Sequence, residues 1–530
     1  MNNSTSRRAW RPEKIAIIGA GISGLLACKH VIEKGFEPVV FEARNDVGGV
    51  WSCTIESTKL QNPKGYFQFS DFPWPSSVEE TFPDHNQVLD YLKSYALHFD
   101  LIPFIKFNSR VLAIDYMSDD DLDMRSNWYL WGGTGAAFSP KGKWNVVVED
   151  ALHPLNPPKV YKVDFVLLCI GRFSDLPYMP EFWRGEGQVS EEMLKFNGVV
   201  IHSMDYAAMD RIEARKLVEN KRVAIVGFQK SALDIAVELA QLNGVKNPCT
   251  LVLRRAHWSG PENLVRFSFR HFNRFSEFMV HKPTQGLLLC FLVFILSPLR
   301  WIFSKMAEWY LRWIYPLKKY DIVPTHSFLE QIYSCRFMVM PDQFYRKVQE
   351  GSLLLRKSRV SALSGDSLVL ADGKPPVSAD VVILATGYKS DEKIANMFTS
   401  VHFKKCIMGS SSPFYRECIH PRIPQLAIMG YSESPATIFT FEMRVKWVAH
   451  FLAGKFRLPA VAAMEEEGRK WEENARRYSG GSYKRSCVGV MLQIYCNDEI
   501  CRDIGCSPMR KKWFLPELFT CYHPHDYANV

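Results

Sequence analysis

Residues 15–24 read Ile15-Ala16-Ile17-Ile18-Gly19-Ala20-Gly21-Ile22-Ser23-Gly24, an apolar, β-branched run that drives straight into three glycines. A short unbroken apolar run, closed by a glycine turn and followed by a helical pattern over residues 23 to 34, reads as a buried strand feeding a helix. Gly19 permits the tight turn, Gly21 lets the backbone approach a pyrophosphate, and Gly24 lets helix and strand pack closely. Ala20, Ile22 and Ser23 complete the turn, and the free N–H groups of the new helix attract phosphate. A second strand at residues 38 to 41 ends on Glu42, 21 residues after Gly21, where a carboxylate accepts from a ribose hydroxyl. Strand, turn, helix and strand together make a βαβ dinucleotide unit, which a bare glycine motif would not establish.

Beyond Glu42 the chain runs Ala43-Arg44-Asn45-Asp46-Val47-Gly48-Gly49-Val50-Trp51. Gly48-Gly49 offers a second close backbone approach beneath a bulky cofactor, the flavin version of the unit, with Arg44, Val50 and Trp51 beside it. The unit then recurs. Residues 221 to 226 form a β-branched strand, and Gly227-Phe228-Gln229-Lys230-Ser231-Ala232 opens a helical run reaching residue 241. Ala232 is tolerated at the third glycine place, whereas Gln229 at the second predicts a backbone that cannot approach phosphate as the first site does. The next strand, residues 250 to 253, ends in Arg254 and Arg255; arginines there suit a 2′-phosphate, hence NADPH, or else are a solvated pair.

Two more apolar strands, residues 163 to 170 ending at Gly171 and residues 380 to 385 ending in Thr386-Gly387, have glycine tips that reach a cofactor. The expected fold is α/β with two Rossmann-like domains, the NADP domain inserted in the FAD domain. Its boundaries are residues 1–215 for the first part of the FAD domain and 216–340 for the NADP domain, with a hydrophobic insertion at about 260–330. The FAD domain returns near 350 to 390, within a 341–530 segment that ends in a helical C-terminal region.

A chain of 530 residues exceeds what one core supports, so several domains are expected. The net charge of +9 is dispersed, with short runs such as Arg510-Lys511-Lys512, and no nucleic-acid partner is expected. Thirteen cysteines in an odd, unpatterned set point to reduced thiols in a cytoplasmic protein. Cys501 and Cys506, with His523 and His525 beyond, lack a tight Cys-x-x-Cys pair, so no metal site is expected. Arg7, Arg8 and Arg11 lead into the first strand without an apolar signal core, which argues against secretion. The most apolar window, residues 287 to 296, is closed by Ser297-Pro298 and falls short of the ~20 residues a spanning helix requires. It reads as a buried helix or, with Trp301, Trp309, Tyr310, Trp313 and Tyr315 nearby, as a peripheral membrane contact, the endoplasmic reticulum being the candidate surface.

Between the two units lies Phe196-x-Gly198-x-x-x-His202-x-x-x-Tyr206, which matches the fingerprint of class B flavin monooxygenases, and Leu384-Ala385-Thr386-Gly387-Tyr388 matches that family's late motif. On these anchors the chain resembles a plant-type flavin-containing monooxygenase over essentially its full length. The form of the second glycine turn, Asp71-Phe72-Pro73-Trp74-Pro75 and the run from Arg416 to Gln425 resemble the branch associated with N-hydroxylation of pipecolic acid in plant immunity. The resemblance implies FAD and NADPH as cofactors, O2 as co-substrate, and a small amine or thioether as substrate. Chemistry belongs to the cofactor, while the protein orients it, donates hydrogen bonds to activated oxygen and excludes water. No Ser-His-Asp, Cys-His or paired-carboxylate set is evident.

Within Lys59-Leu60-Gln61-Asn62-Pro63, related enzymes place a polar amide near the flavin's reacting edge. Gln61 aligns best by its spacing to Asp71, Asn62 is the second choice, and a plain Asn-Pro turn is the alternative. His202 is expected to tie the linker to the NADP domain, and Trp51 and Trp74 to pack. S-oxygenation of a thioether and oxidative decarboxylation of an indole keto acid are chemistries of sister branches and stay open. So does a non-catalytic nucleotide-binding or membrane-associated protein. A flavin disulfide reductase would need a cysteine pair close after the first fingerprint, and Cys53 has none before Cys169. Baeyer–Villiger enzymes carry tryptophan where this chain has Tyr206.

Overall fold

The computed structural model describes residues 13–118, 131, 133–138, 142–183, 196–409, 414–487 and 489–530; the arginines at 7, 8 and 11 lie outside them. The β-branched run makes the strand Ile15–Ile18, wholly buried at the centre of a five-stranded parallel sheet. Its neighbours, in order across the sheet, are Leu426–Ile428 and Phe165–Leu168 on one side and Pro38–Phe41 and Ile105–Lys106 on the other. Both faces are covered, as a parallel sheet requires. The helix Ile22–Glu33 packs against the long C-terminal helix Thr437–Leu452, burying Leu25, Leu26, Trp447 and Phe451 in one core. On the opposite face, the antiparallel ribbon Ser109–Ser118, Gly142–Asp150 and Lys159–Val163 buries Trp144 and Val146 against Ala16 and Ile18.

A second five-stranded parallel sheet has the order Leu353–Lys357, Cys249–Leu253, Val223–Val226, Val381–Leu384, Val199–His202. It corrects the expected boundaries. The strand Val381–Leu384 pairs with Val223–Val226, register Val381 to Val223, and Leu353–Lys357 pairs with Cys249–Leu253, so the second sheet spans residues 199 to 384 instead of 216–340. The chain returns to the first sheet only with Leu426–Ile428. Four apolar residues buried on both faces look alike in either sheet, so local sequence cannot say which one a strand joins. The nesting of one domain in the other is as expected.

The apolar window is neither short nor buried. It belongs to a 28-residue helix, Leu287–Ile314, that runs straight through Pro298. Proline removes the N–H that would reach the Phe294 carbonyl, and the Ser297 hydroxyl donates to that same carbonyl at 3.0 Å, so the helix continues where the sequence suggested a stop. The helix is long and apolar enough to cross a membrane, yet only a narrow stripe of it faces protein. Val293, Ser304, Glu308 and Leu311 are buried, whereas Leu287 is 90% and Phe294 73% exposed. One thiol pair also departs from expectation: Cys335 and Cys487 are joined, with Cα atoms 6.0 Å apart. Their 152-residue separation left no spacing signal.

Candidate functional site

The two sheets open onto one cavity of about 2680 Å³, lined by both glycine turns. A single drug-sized ligand takes roughly 300 to 1,000 Å³, so this space suits more than one nucleotide. At the first turn Gly19 has φ +101°, and a Cβ there would stand 2.7 Å from the Cys169 carbonyl oxygen. A Cβ on Gly24 would lie 1.8 Å from the Gly19 oxygen, which is the close helix–strand packing its position implies. Gly21 and Gly49 meet backbone to backbone, with Gly48 at φ +125° completing the second turn. These glycines leave a floor of bare backbone at the start of the helix Ile22–Glu33, a cradle that fits the pyrophosphate of FAD.

Glu42, buried at the cavity wall, accepts from the Ala20 N–H at 2.7 Å and from the Arg44 N–H at 2.9 Å, one on each oxygen. Each carboxylate oxygen keeps a lone pair for a ribose hydroxyl. Arg44 clamps the second turn, donating to the Gly49 carbonyl at 3.1 Å and the Ser52 hydroxyl at 2.8 Å. Ile22, Ser23, Val50 and Trp51 line the cavity, while Ala20 and Gly24 lie behind its wall. Trp74 packs, stacked 4.0 Å from Tyr91 with its N–H on the Phe67 carbonyl.

At the second turn Gly227 has φ +145°, with the Ala385 oxygen 2.4 Å from any Cβ. Gln229 is extended, φ −119° and ψ −176°, at the cap of the helix Lys230–Asn243. Any residue adopts that backbone, so glutamine there costs no strain, and what sets it apart from Gly21, which is extended as well, is the side chain it brings to the turn. Phe228, Gln229, Lys230, Ser231 and Ala232 all reach the cavity. Lys230 pairs with the buried Asp234 at 2.5 Å. Arg254 and Arg255, at the end of Cys249–Leu253, are exposed to the cavity and make no salt bridge among the described residues. Burial, and then these two arginines, hold the nearby Arg336 below the ordinary guanidinium range. Positive charge without a counter-charge at this strand end fits a 2′-phosphate.

His202 stands behind the wall. It ends the strand Val199–His202, its Nδ1 accepts from the Met204 N–H at 3.1 Å to cap Ser203–Ala208, and its ring meets Tyr388 edge to face. Burial holds its pKa down, against Asp205 and the Gly387 backbone. Unlike the other expected cofactor residues of this region, it does not reach the cavity. Thr386 and Gly387 do, and both bind the segment arriving from the first domain through Tyr178.

Gln61 and Asn62 both line the cavity but are held differently. The Gln61 side-chain oxygen accepts from the Val339 N–H at 3.2 Å, and its amide nitrogen makes no hydrogen bond among the described residues. Asn62 is buried and spends its nitrogen on the Pro435 carbonyl at 2.7 Å. Sequence reasoning missed Arg172, Arg336, Glu433 and Lys484 on the same wall. Arg172 directly follows the glycine tip at 171 and could have been read from it; the others carry no motif.

The profile of the family described as flavin-binding monooxygenase-like matches residues 12–518. "Probable flavin-containing monooxygenase 1" of Arabidopsis thaliana is 38% identical over 97% of this chain and 96% of its own length. Among solved structures, S-allyl-L-cysteine S-oxygenase from Allium sativum superposes with a TM-score of 0.55 at 16% identity, covering 94% of this chain and 89% of that one. Cyclohexanone monooxygenase from Rhodococcus sp. Phi1 bound to NADP+ gives 0.65 at 15%, covering 93% and 97%. These two likenesses speak for the fold alone. The family match and the two facing cradles agree: the chain belongs to the flavin-binding monooxygenase-like family and is an FAD- and NADPH-dependent monooxygenase.

Proposed function

We propose that this monooxygenase N-hydroxylates a small amine, pipecolic acid or a compound of its kind, in plant defence. The observation that carries the reading is the Gln61 amide on the cavity lining, fixed through its oxygen to Val339 while its nitrogen has no hydrogen bond among the described residues. Bound FAD, once reduced by NADPH, supplies the activated oxygen. Gln61 supplies a preorganised N–H donor for it, and Asn62 holds the Pro435 loop that closes the wall. Leu60, Phe67 and Phe441 present apolar surface there and limit water. Arg254 and Arg255 select the phosphorylated nucleotide. The likeness of the second glycine turn to the pipecolate branch favours an amine over a thioether or a keto acid. The test is NADPH oxidation in air with amines, thioethers and indole keto acids, with products identified by mass. Pipecolic acid gaining one oxygen is expected; turnover confined to thioethers or keto acids would sink the assignment.

The enzyme works at a membrane surface, and the helix Leu287–Ile314 is the contact. It is inside out: Ser304 and Glu308 face the protein, where Glu308 accepts from the Phe328 N–H at 3.0 Å, while Trp301, Trp309 and Trp313 face outward. Taking a side chain of this size from water is worth about 1.5 to 3 kcal/mol, so the outward row as a whole is costly in solution and favourable at a lipid interface. The buried polar stripe fixes the helix flat against the body instead of across the bilayer. Flotation with vesicles is expected for the parent and lost on Trp309→Asp combined with Trp313→Asp; parent protein that stays in the aqueous fraction contradicts the contact.

A further inference from the structure

Three cations crowd one carboxylate on the cavity wall beside Pro435. The Oε1 of Glu433 accepts from the Arg172 guanidinium at 3.1 Å and from the Ser486 hydroxyl at 2.8 Å, and its Oε2 faces the Lys484 ammonium at 3.6 Å. Arg336 adds a third positive charge and donates to the Ser482 hydroxyl at 3.2 Å. Against the three stand two carboxylates, Glu433 and, sharing the Ser482 hydroxyl with Arg336, Glu330, which leaves a positive surplus. The surplus is felt locally: burial, then Arg336 and Arg172, hold the Lys484 ammonium below its ordinary range in spite of Glu433, and burial and Arg336 push the nearby His257 down to about 4. Glu433 is the charge partner of the Lys484 ammonium, at 3.6 Å, and the Arg336 side chain makes one hydrogen bond, to Ser482, among the described residues. Arg172, Arg336, Glu433 and Lys484 all border the cavity, and the neighbouring Pro435 carries Asn62, next in sequence to Gln61. Donors in charge surplus therefore line the same cavity as Gln61, around Glu433, two residues from the proline that Asn62 holds.

We infer that Lys484 and Arg336 form the anchor for a substrate carboxylate, so that the oxygenated compound is an amino acid whose nucleophilic atom lies a few bonds from that carboxylate. The inference rests on the proposed amine oxygenation for its choice of nucleophile, but not for the anchor itself. Two charge-assisted hydrogen bonds in a partly dry cavity give the carboxylate its orientation. They also act on the amine. Oxygenation needs a free lone pair, and an amino acid carries an ammonium at neutral pH. Cations that hold the carboxylate repel that ammonium and favour loss of its proton to solvent, which leaves the nucleophile ready. A simple amine without a carboxylate gains neither effect.

The test titrates FAD-loaded, NADP+-bound protein by calorimetry with pipecolic acid, with piperidine, its analogue lacking the carboxylate, and with an S-alkylcysteine. Parent protein is expected to bind pipecolic acid at least about tenfold more tightly than piperidine. Lys484→Gln is expected to remove about ten- to hundredfold of the acid's affinity, the loss of one hydrogen bond to a charged group, and Lys484→Arg to restore most of it. Equal affinity of acid and piperidine for the parent overturns the anchor. So does a Lys484→Gln variant that loses NADP+ affinity while keeping that for the acid, because the cluster then serves the nucleotide. Lys484-dependent binding of the S-alkylcysteine alone keeps the anchor and sinks the amine reading; oxygenation of both amines without regard to the carboxylate does the reverse.

Discussion

Gly21 and Gly49 face each other so closely that a side chain on either crowds the other's backbone: a Cβ on Gly21 would stand 3.3 Å from the Gly49 Cα, and one on Gly49 would stand 3.0 Å from the Gly21 Cα. This contact joins the two turns that form the floor of the first cradle. Gly21→Val pushes them apart and fills the space where phosphate lies, while the second sheet, built from other residues, is untouched. Purified Gly21→Val protein is expected to be colourless, with flavin absorbance per chain reduced at least about tenfold, on the scale of several kcal/mol for an overpacked site. A variant as yellow as the parent would remove the cradle from the flavin site.

The paired arginines make a different claim, about choice of nucleotide. A lost hydrogen bond to a charged group costs about 1.5 to 3 kcal/mol. Arg255→Ala is therefore expected to raise the KM for NADPH about ten- to hundredfold and to leave that for NADH nearly unchanged. The KM ratio of the two nucleotides is the measurement. A parallel rise for both would mean that Arg255 supports the fold of the strand end instead of the 2′-phosphate.

What could be read beforehand follows from how local each feature is. Gly19, Gly21, Gly24 and Glu42 lie within one βαβ unit, so their spacing alone fixed their geometry, and Glu42 is found at the turn as expected. Val381–Leu384 was assigned to the wrong sheet because its partner, Val223–Val226, is remote in sequence and equally apolar. The apolar window reads as short because it ends at Ser297-Pro298, yet the helix runs on, the Ser297 hydroxyl taking the Phe294 carbonyl that proline leaves without an N–H. Gln229 has the same extended backbone as Gly21, so what distinguishes the second turn is the glutamine side chain, as its sequence says. Glu433, Lys484 and Arg336 meet from segments without motif, and only folding shows that their charges do not balance.

Gln61 and Asn62, adjacent in sequence, part company in what their amides hold, and that separates their expected phenotypes. Gln61→Ala removes the amide from the cavity lining. If it acts as a preorganised oxyanion contact, oxygenation falls on the order of 10²-fold. FAD content is expected to stay normal while NADPH oxidation continues and hydrogen peroxide replaces product, so the ratio of product to NADPH consumed is the quantity to follow. Unchanged coupling would reject Gln61. Asn62→Ala frees the Pro435 carbonyl instead, and its expected effect falls on thermal stability and substrate KM together.

The acid limit of the fold is expected to follow Glu442, which lies buried on the helix Thr437–Leu452 that packs against Ile22–Glu33. It accepts from the Ser70 N–H at 2.8 Å and from the Ser70 hydroxyl, with Lys446 at 3.3 Å and His30 at 3.7 Å. Burial alone would raise its pKa, but Lys446, His30 and Ser70 outweigh burial and hold it at about 2. An unfolded glutamate titrates near ~4.3. The folded pKa is the lower one, so the stabilisation is complete above that value and drains away as pH falls toward 2, on the order of 3 kcal/mol in all. Glu33, also held at about 2, acts in the same direction from a more exposed place. Melting temperature is therefore expected to fall between pH 5 and pH 3. Glu442→Gln leaves Lys446 without its partner and melts lower at pH 7, yet loses less on acidification because the group that titrates is gone. Parallel melting curves for variant and parent across that range would show that the acid limit lies elsewhere.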